Sequence, residues 1–210
     1  MATRKDTRQT AIGRPRAFDT DAALEKAMVF FWAHGYEGAS LSGLTRAMGI
    51  STTSMYAAFG NKEELFRKAL QRYSEHPDSY LEQGLDQPTA LEVATAMLNG
   101  VVRGTTRPDM PSGCLGVQSA LVTGEGATGV RDLLVQWRTG IYDRLRERFE
   151  RAVAEGDLPP GTDPGVPARY LATLVAGVAV QAAGGVPRED LQAMVDAALL
   201  SWPPGGRSPG

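Results

Sequence analysis

Cysteine, histidine and long apolar runs are what this 210-residue sequence has least of. Its single cysteine, Cys114, excludes an intramolecular disulfide and a cysteine-cluster metal site, and fits a reducing cytoplasmic compartment. Its two histidines, His34 and His76, fall in no triad or metal-ligand spacing, and Cys114 has no orienting third group near it in sequence. Despite 24 glycines there is no Walker-type loop and no strand-linked dinucleotide fingerprint. The sequence therefore offers no enzyme site, no metal site and no cofactor site. The most apolar stretch, residues 170–186, is interrupted by glycines and Gln181 and is shorter than the ~20 residues that span a bilayer. The opening MATRKDTRQT is polar and lacks the apolar segment of a signal peptide, so no membrane partner is expected.

With 42% hydrophobic and 22% charged residues, the chain has the composition of a folded protein large enough to bury a substantial core. Its formal net charge of −2 hides a polarity along the chain. Residues 1–72 carry eleven Lys and Arg against seven Asp and Glu, whereas residues 73–210 carry eleven against seventeen. Within the first eighteen residues five basic groups face only Asp6. A basic arm on an acidic protein suits contact with a polyanion, and a solvated, disordered terminus accounts for the same charges.

Helix signals dominate the rest. Residues 13–16 read as extended around Pro15. Asp19 or Thr20 can cap a helix to about Gly35, with Leu24, Ala27, Met28 and Phe31 on its buried face. Ser40 can cap a short helix over 41–48, ended by Gly49, and Ser51 a third through Phe59. Two short helices joined by a turn of this kind have the outline of a helix-turn-helix. Asn61 and Glu64 have capping-box spacing for a fourth helix carrying Leu65, Phe66, Ala69, Leu70 and Tyr73. A boundary is expected between Tyr73 and Pro88, followed by helices over 89–103, 114–123, 127–154, 163–183 and 188–201. No segment alternates with period two, so an all-α fold is expected. The divisions are a basic arm over 1–17, a helix-turn-helix domain with the start of a connecting helix over 18–73, a larger helical domain over 74–202, and a disordered tail over 203–210.

Three stretches are more specific: Gly35-Tyr36-Glu37-Gly38-Ala39-Ser40-Leu41, Met48-Gly49-Ile50-Ser51, and Met55-Tyr56-Ala57-Ala58-Phe59-Gly60-Asn61-Lys62-Glu63-Glu64-Leu65. At this spacing the region from about Arg14 to Tyr73 resembles the TetR family of bacterial transcriptional regulators. The resemblance implies a three-helix DNA-binding unit, a variable helical ligand-binding domain and a homodimer closed by the last two long helices. It further implies operator binding that a small molecule relieves by changing the separation of the recognition helices, most members being repressors.

The residues themselves fit that expectation. Thr52, Thr53 and Ser54 stand at the N-terminus of the recognition helix, where hydroxyls can bond bases or phosphates and a threonine methyl can meet a thymine methyl. None provides the bidentate guanine readout of arginine. By resemblance Tyr56 touches the phosphate backbone, the other reading being a core aromatic beneath the first helix. Lys62, at a helix start, can hold a phosphate with the adjacent amides. Ser40 and Ser42 can donate to flanking phosphates, although capping alone accounts for Ser40. Tyr36 can contact backbone or pack against the helix-turn-helix. Arg14 and Arg16 resemble a minor-groove arm, or attract DNA only diffusely. Gly43, Thr45 and Thr53 depart from the usual pattern. Gly43 in mid-helix costs ~1 kcal/mol relative to alanine, and Thr53, in a place often held by glycine, would set the helix slightly further from the bases.

In the larger domain Tyr170, Leu174, Val178 and Gln181 form one stripe, and Leu191, Met194, Val195, Ala198 and Leu199 another. Paired with a second subunit these would make a four-helix bundle, and alone they would face the chain's own core. Candidate ligand contacts among the central helices are Met97, Val101, Cys114, Gln118, Leu121, Trp137 and Tyr142, all equally compatible with ordinary core. With no charge cluster evident, the expected effector is apolar or aromatic. Cys114 is an oxidant sensor if exposed and inert if buried. A helical ligand-binding or partner-binding protein that has lost specific DNA binding is the alternative function.

Overall fold

The computed structural model describes residues 18–76, 79–121 and 127–203, and all regular structure among them is helical. The arm with Arg14 and Arg16, and the tail after Pro203, lie outside the described residues. In chain order the helices are α1 (Thr20–Gly38), α2 (Leu41–Met48), α3 (Thr52–Phe59), α4 (Lys62–Ser74), α5 (Tyr80–Leu85), α6 (Ala90–Thr105), α7 (Leu115–Leu121), α8 (Thr128–Ala154), α9 (Gly165–Ala183) and α10 (Arg188–Leu200).

The caps read from sequence set the first four helices. The Asp19 carboxylate accepts from the amides of Asp21 and Ala22 at 2.9 and 3.1 Å. Ser40 accepts from Gly43 N at 3.0 Å, Ser51 from Ser54 N at 3.1 Å, and Asn61 and Glu64 form a reciprocal capping box. Gly49, at φ 72°, turns the chain into the left-handed region and sends Ile50 N back to the Thr45 carbonyl. α1 differs from expectation at its end. Gly35 adopts φ 67°, ψ 174°, and helical structure resumes beyond this kink to Gly38. The kink allows Tyr36 to pack between Phe31 and Phe66, at ring separations of 6.2 and 5.3 Å.

Two apolar cores result. One joins Met28, Phe31, Leu44, Met55 and Phe66 of the N-terminal unit to Leu115, Val130 and Leu134 of α7 and α8. The other packs α6 against α8, α9 and α10 through Met97, Val101, Phe149, Leu171, Val178 and Val195. The N-terminal unit thus borrows part of its core from the larger domain. The short α5 was not foreseen, since six residues are too few to show a helical period. Gly43, read from sequence as a cost, has a positive reason: a Cβ there would lie 2.6 Å from Phe30 Cζ, so α2 approaches α1 through it. α9, at 19 residues and mean hydropathy 1.3, is long and apolar enough to cross a bilayer by length and composition. Here one of its faces, with Leu171, Val178 and Ala182, lies in the second core.

Candidate DNA-reading surface and ligand cavity

On α3 the buried and outward residues separate cleanly. Met55 and Phe59 are buried, while Thr52, Thr53 and Tyr56 are exposed on the other side. At 47% exposure Tyr56 is not the core aromatic that one sequence reading allowed. Ser54 is half-buried and its hydroxyl lies 2.9 Å from that of Ser51, so capping already engages it. Ser40 and Ser42 are exposed, with their hydroxyls 3.2 Å apart at the start of α2. The Lys62 ammonium sits 4.4 Å from the Tyr36 ring centroid, a cation–π contact that aims the first residue of α4. Burial holds the Lys62 pKa below its ordinary value, with the Glu37 carboxylate acting the other way. Tyr36 is raised by desolvation and by Glu63 and Glu37, so its phenol stays protonated at neutral pH. Its packing therefore serves Lys62 while leaving part of the ring exposed.

A cavity of about 750 Å³ opens between this unit and the larger domain. Its inner wall is apolar and aromatic, with Trp32, Met97, Met110, Trp137 and Ile141 prominent. Three of the sequence candidates, Met97, Trp137 and Tyr142, face it. The others lie elsewhere. Val101 is fully buried in the second core. Cys114 is buried behind the wall and receives the Tyr73 hydroxyl hydrogen at 3.4 Å. Gln118 donates to the Ser112 carbonyl at 2.9 Å, and Leu121 closes α7 with its side chain outside those described. Sequence reasoning missed Trp32 and Met28, which belong to α1 and carry the ordinary pattern of a buried helix face. It also saw no cationic cluster, yet Arg103, Arg107, Arg138 and Arg169 all border the cavity. These arginines come from α6, the loop after it, α8 and α9, so only the packing brings them together.

The cavity touches the DNA-reading unit through hydrogen-bonded aromatics. Trp32 Nε1 donates to the Gly113 carbonyl at 3.2 Å, and Trp137 Nε1 to Ser74 Oγ at 2.7 Å. Trp32 and Tyr73 meet edge to face at 5.0 Å. Cys114 is therefore no exposed thiol: desolvation pushes its pKa up, although Tyr73, Tyr80 and the amides of Gly116 and Val117 donate to its sulfur. This overturns the reading of Cys114 as an exposed, low-pKa sensor.

In the last two helices Val178, Leu191 and Val195 are buried in the chain's own core. Tyr170 packs on Trp202 at 6.1 Å, and Leu174, Ala198 and Leu199 are half-buried. Gln181 and Met194 of the expected stripes are exposed, as are Gly177 and Val180 of α9 and Ala193, Ala197 and Leu200 of α10.

A capped helix-turn-helix with an outward hydroxyl-bearing helix, carried on a helical domain that borders an open, largely apolar cavity, defines a class of DNA-binding regulator. Residues 23–69 match the family described as bacterial regulatory proteins, tetR family, and residues 90–197 match the tetracyclin repressor-like C-terminal domain. The chain belongs to the TetR family of transcriptional regulators. It is 33% identical over 194 residues to the HTH-type transcriptional repressor ComR of Escherichia coli (strain K12), covering 91% of this chain and 92% of that one. Among solved structures it is similar to the TetR family transcriptional regulator CifR, as a cysteine mutant complexed with 26 bp double-strand operator DNA. That similarity has 46% identity and a TM-score of 0.86, over 91% of this chain and all of the other. A putative TetR regulator from Rhodococcus sp. RHA1 shares 43% identity over 88% of this chain and all of that one, with a TM-score of 0.59.

Proposed function

We propose that the protein is a homodimeric, cytoplasmic repressor that leaves a two-fold symmetric operator when a small molecule fills the cavity. One observation carries the reading: Thr52, Thr53 and Tyr56 stand on one exposed face of α3, with Lys62 aimed by Tyr36 at the start of α4. The threonines supply base contacts and Tyr56 with Lys62 supplies phosphate contacts, flanked by Ser40 and Ser42. Arg14 and Arg16 would extend the contact into the minor groove. That CifR is complexed with double-strand operator DNA supports a DNA-binding role. For the dimer, the exposed positions favour a face that keeps Gln181 and Met194 of the stripe expected from sequence and adds Gly177, Val180, Ala197 and Leu200, without the buried Val178, Leu191 and Val195.

The effector acts where two domains share a wall. Trp32 and Tyr73 of the DNA-reading unit and Trp137 of α8 all border the cavity, so a ligand that moves one wall moves the helices that carry α3. Repeated selection of full-length protein against a pool of randomised duplex DNA tests the proposal. Enrichment of a two-fold symmetric site is the expected result. Only salt-sensitive, sequence-independent binding by folded protein would favour the reading in which specific DNA binding has been lost.

A further inference from the structure

We infer that the effector is a small organic anion, an apolar or aromatic body carrying a carboxylate or sulfonate-like group. This deepens the proposed function and rests on the cavity being the effector site. Residues 73–210 carry six more acidic than basic groups, yet no aspartate or glutamate lies among the described residues that border the cavity, while four arginines do. The sign of the cavity is therefore opposite to that of the region that builds most of it.

The arginines differ in what already engages them. Arg107 donates twice to Asp109, at 3.1 and 2.7 Å. The Arg169 guanidinium lies over the Tyr142 ring, 3.6 Å from its centroid, which fixes its place without neutralising it. Arg103 and Arg138 form no ion pair among the described residues, in contrast to Arg72, Arg144 and Arg146, which pair with Glu25, Glu82 and Glu150. Unneutralised like charges around one opening repel each other and favour an anion that enters it. Guanidinium groups also suit the planar, bidentate geometry of a carboxylate.

Depth supplies the other half of the chemistry. Arg103, Arg138 and Arg169 are exposed, so they stand at the mouth, while Trp32, Met97 and Trp137 form the wall. An apolar body displaces water inside while its acidic group remains at the arginines, where its desolvation cost is small. The volume of about 750 Å³ lies within the roughly 300–1,000 Å³ range of small-molecule sites. A cation would meet the wrong field, and a neutral ligand would leave Arg103 and Arg138 with solvent alone.

Two matched probes test the charge separately from the cavity. 8-Anilinonaphthalene-1-sulfonate and N-phenyl-1-naphthylamine share a ring system and differ in the sulfonate. Titrated by fluorescence into full-length protein at about 0.1 M salt, the sulfonate should bind at least about tenfold more tightly. The double substitution Arg103→Gln/Arg138→Gln should remove most of that preference and leave the neutral probe unchanged, whereas Arg103→Lys/Arg138→Lys should retain it. These side chains are exposed, so the fold, checked by thermal midpoint, is expected to stand. Equal affinities in the wild type, or a preference that survives Arg103→Gln/Arg138→Gln, would overturn the anion inference and leave the cavity as the effector site. Binding of both probes that is unaffected by filling the cavity with Ala176→Trp or Met110→Trp, or no saturable binding of either, would overturn the cavity reading and the inference with it.

Discussion

The N-terminal unit and the larger domain close their helices by different means. α1, α2, α3 and α4 each begin at a side chain that accepts from the first-turn amides, namely Asp19, Ser40, Ser51 and Asn61. Of the later helices α6 is capped in this way by Thr89, and the first amide of α9, Gly165 N, donates to the Asp163 carboxylate at 2.9 Å, while α5, α8 and α10 have no side-chain cap bond. The difference follows from length and use. α2 and α3 have eight residues each, below the ~12–15 at which an isolated helix becomes even marginal, and the outer face of α3 is left to solvent. Local bonds must hold what packing covers on one side only. α8 and α9, with 27 and 19 residues, are held by long apolar faces, and where those faces part they form the cavity. In the first region packing and function occupy opposite faces of a helix, and in the second they share one.

The largest expected effect breaks the packed region with a single methyl group. Gly113 sits at φ 86°, its amide donates to the Thr105 carbonyl, and its carbonyl receives Trp32. A Cβ there would lie 2.9 Å from Ala183 Cβ and 3.1 Å from the Ala179 carbonyl oxygen, with the Gln118 amide nearer still. Left-handed backbone strain and overpacking add, so Gly113→Ala should lower stability by about 3 kcal/mol in urea unfolding. Because Trp32 hangs on the same carbonyl, operator release by the effector should weaken as well.

A smaller change separates function from packing in the N-terminal unit. Lys62→Ala removes a proposed phosphate contact and a cation–π contact at a partly exposed site. Operator affinity should fall about tenfold, or 1.4 kcal/mol, for every operator sequence alike. In a dimer the slope of log affinity against log salt should become shallower by about 2, with the unfolding midpoint nearly unchanged. A loss confined to one operator sequence would place Lys62 among base-reading groups instead.

The same contrast explains what could be read in advance. Caps, the Gly49 turn and the α3 face are set by residues a few positions apart, and Ser40, Ser51, Asn61 and Glu64 have the roles that their spacing implied. The all-helical class and the order of the long helices were legible for the same reason. The cavity was not. Trp32, Met97, Trp137 and Arg169 belong to four helices far apart in the chain, and each alone reads as buried face or solvated charge. The stripe of α9 and α10 was legible as apolar, but periodicity could not say which partner covers it, and Val178, Leu191 and Val195 turn inward. Tyr56 is the converse case: an aromatic residue by itself allows a core reading, the family resemblance puts it at the phosphate backbone, and its exposure agrees with the second.

Cap removal sharpens the comparison directly. Ser51→Ala deprives Ser54 N of its acceptor at 3.1 Å and should cost about 1 kcal/mol. Ser79 occupies the equivalent position before α5 but makes no such bond, so Ser79→Ala should cost no more than about 0.5 kcal/mol. Equal losses from the two would mean that the caps do not distinguish the regions.

The smallest effect appears only in alkali. Burial raises the Cys114 thiol above its ordinary 9.0, and raises the Tyr73 and Tyr80 phenols well above 10.0. All three therefore keep their protons in the folded chain at pH values where an unfolded chain releases them. The folded state then binds more protons than the unfolded one, so stability falls as pH rises. Well below the unfolded thiol value these groups contribute no slope, and the decline should set in above about pH 8 and steepen towards pH 10 as the phenols join. Unfolding free energies measured in urea between pH 7 and 10 should be flat to about pH 8 with respect to this cluster. Cys114→Ala removes the first titration and should delay the decline relative to the wild type. A decline that begins at the same pH in Cys114→Ala would place its origin outside this buried cluster.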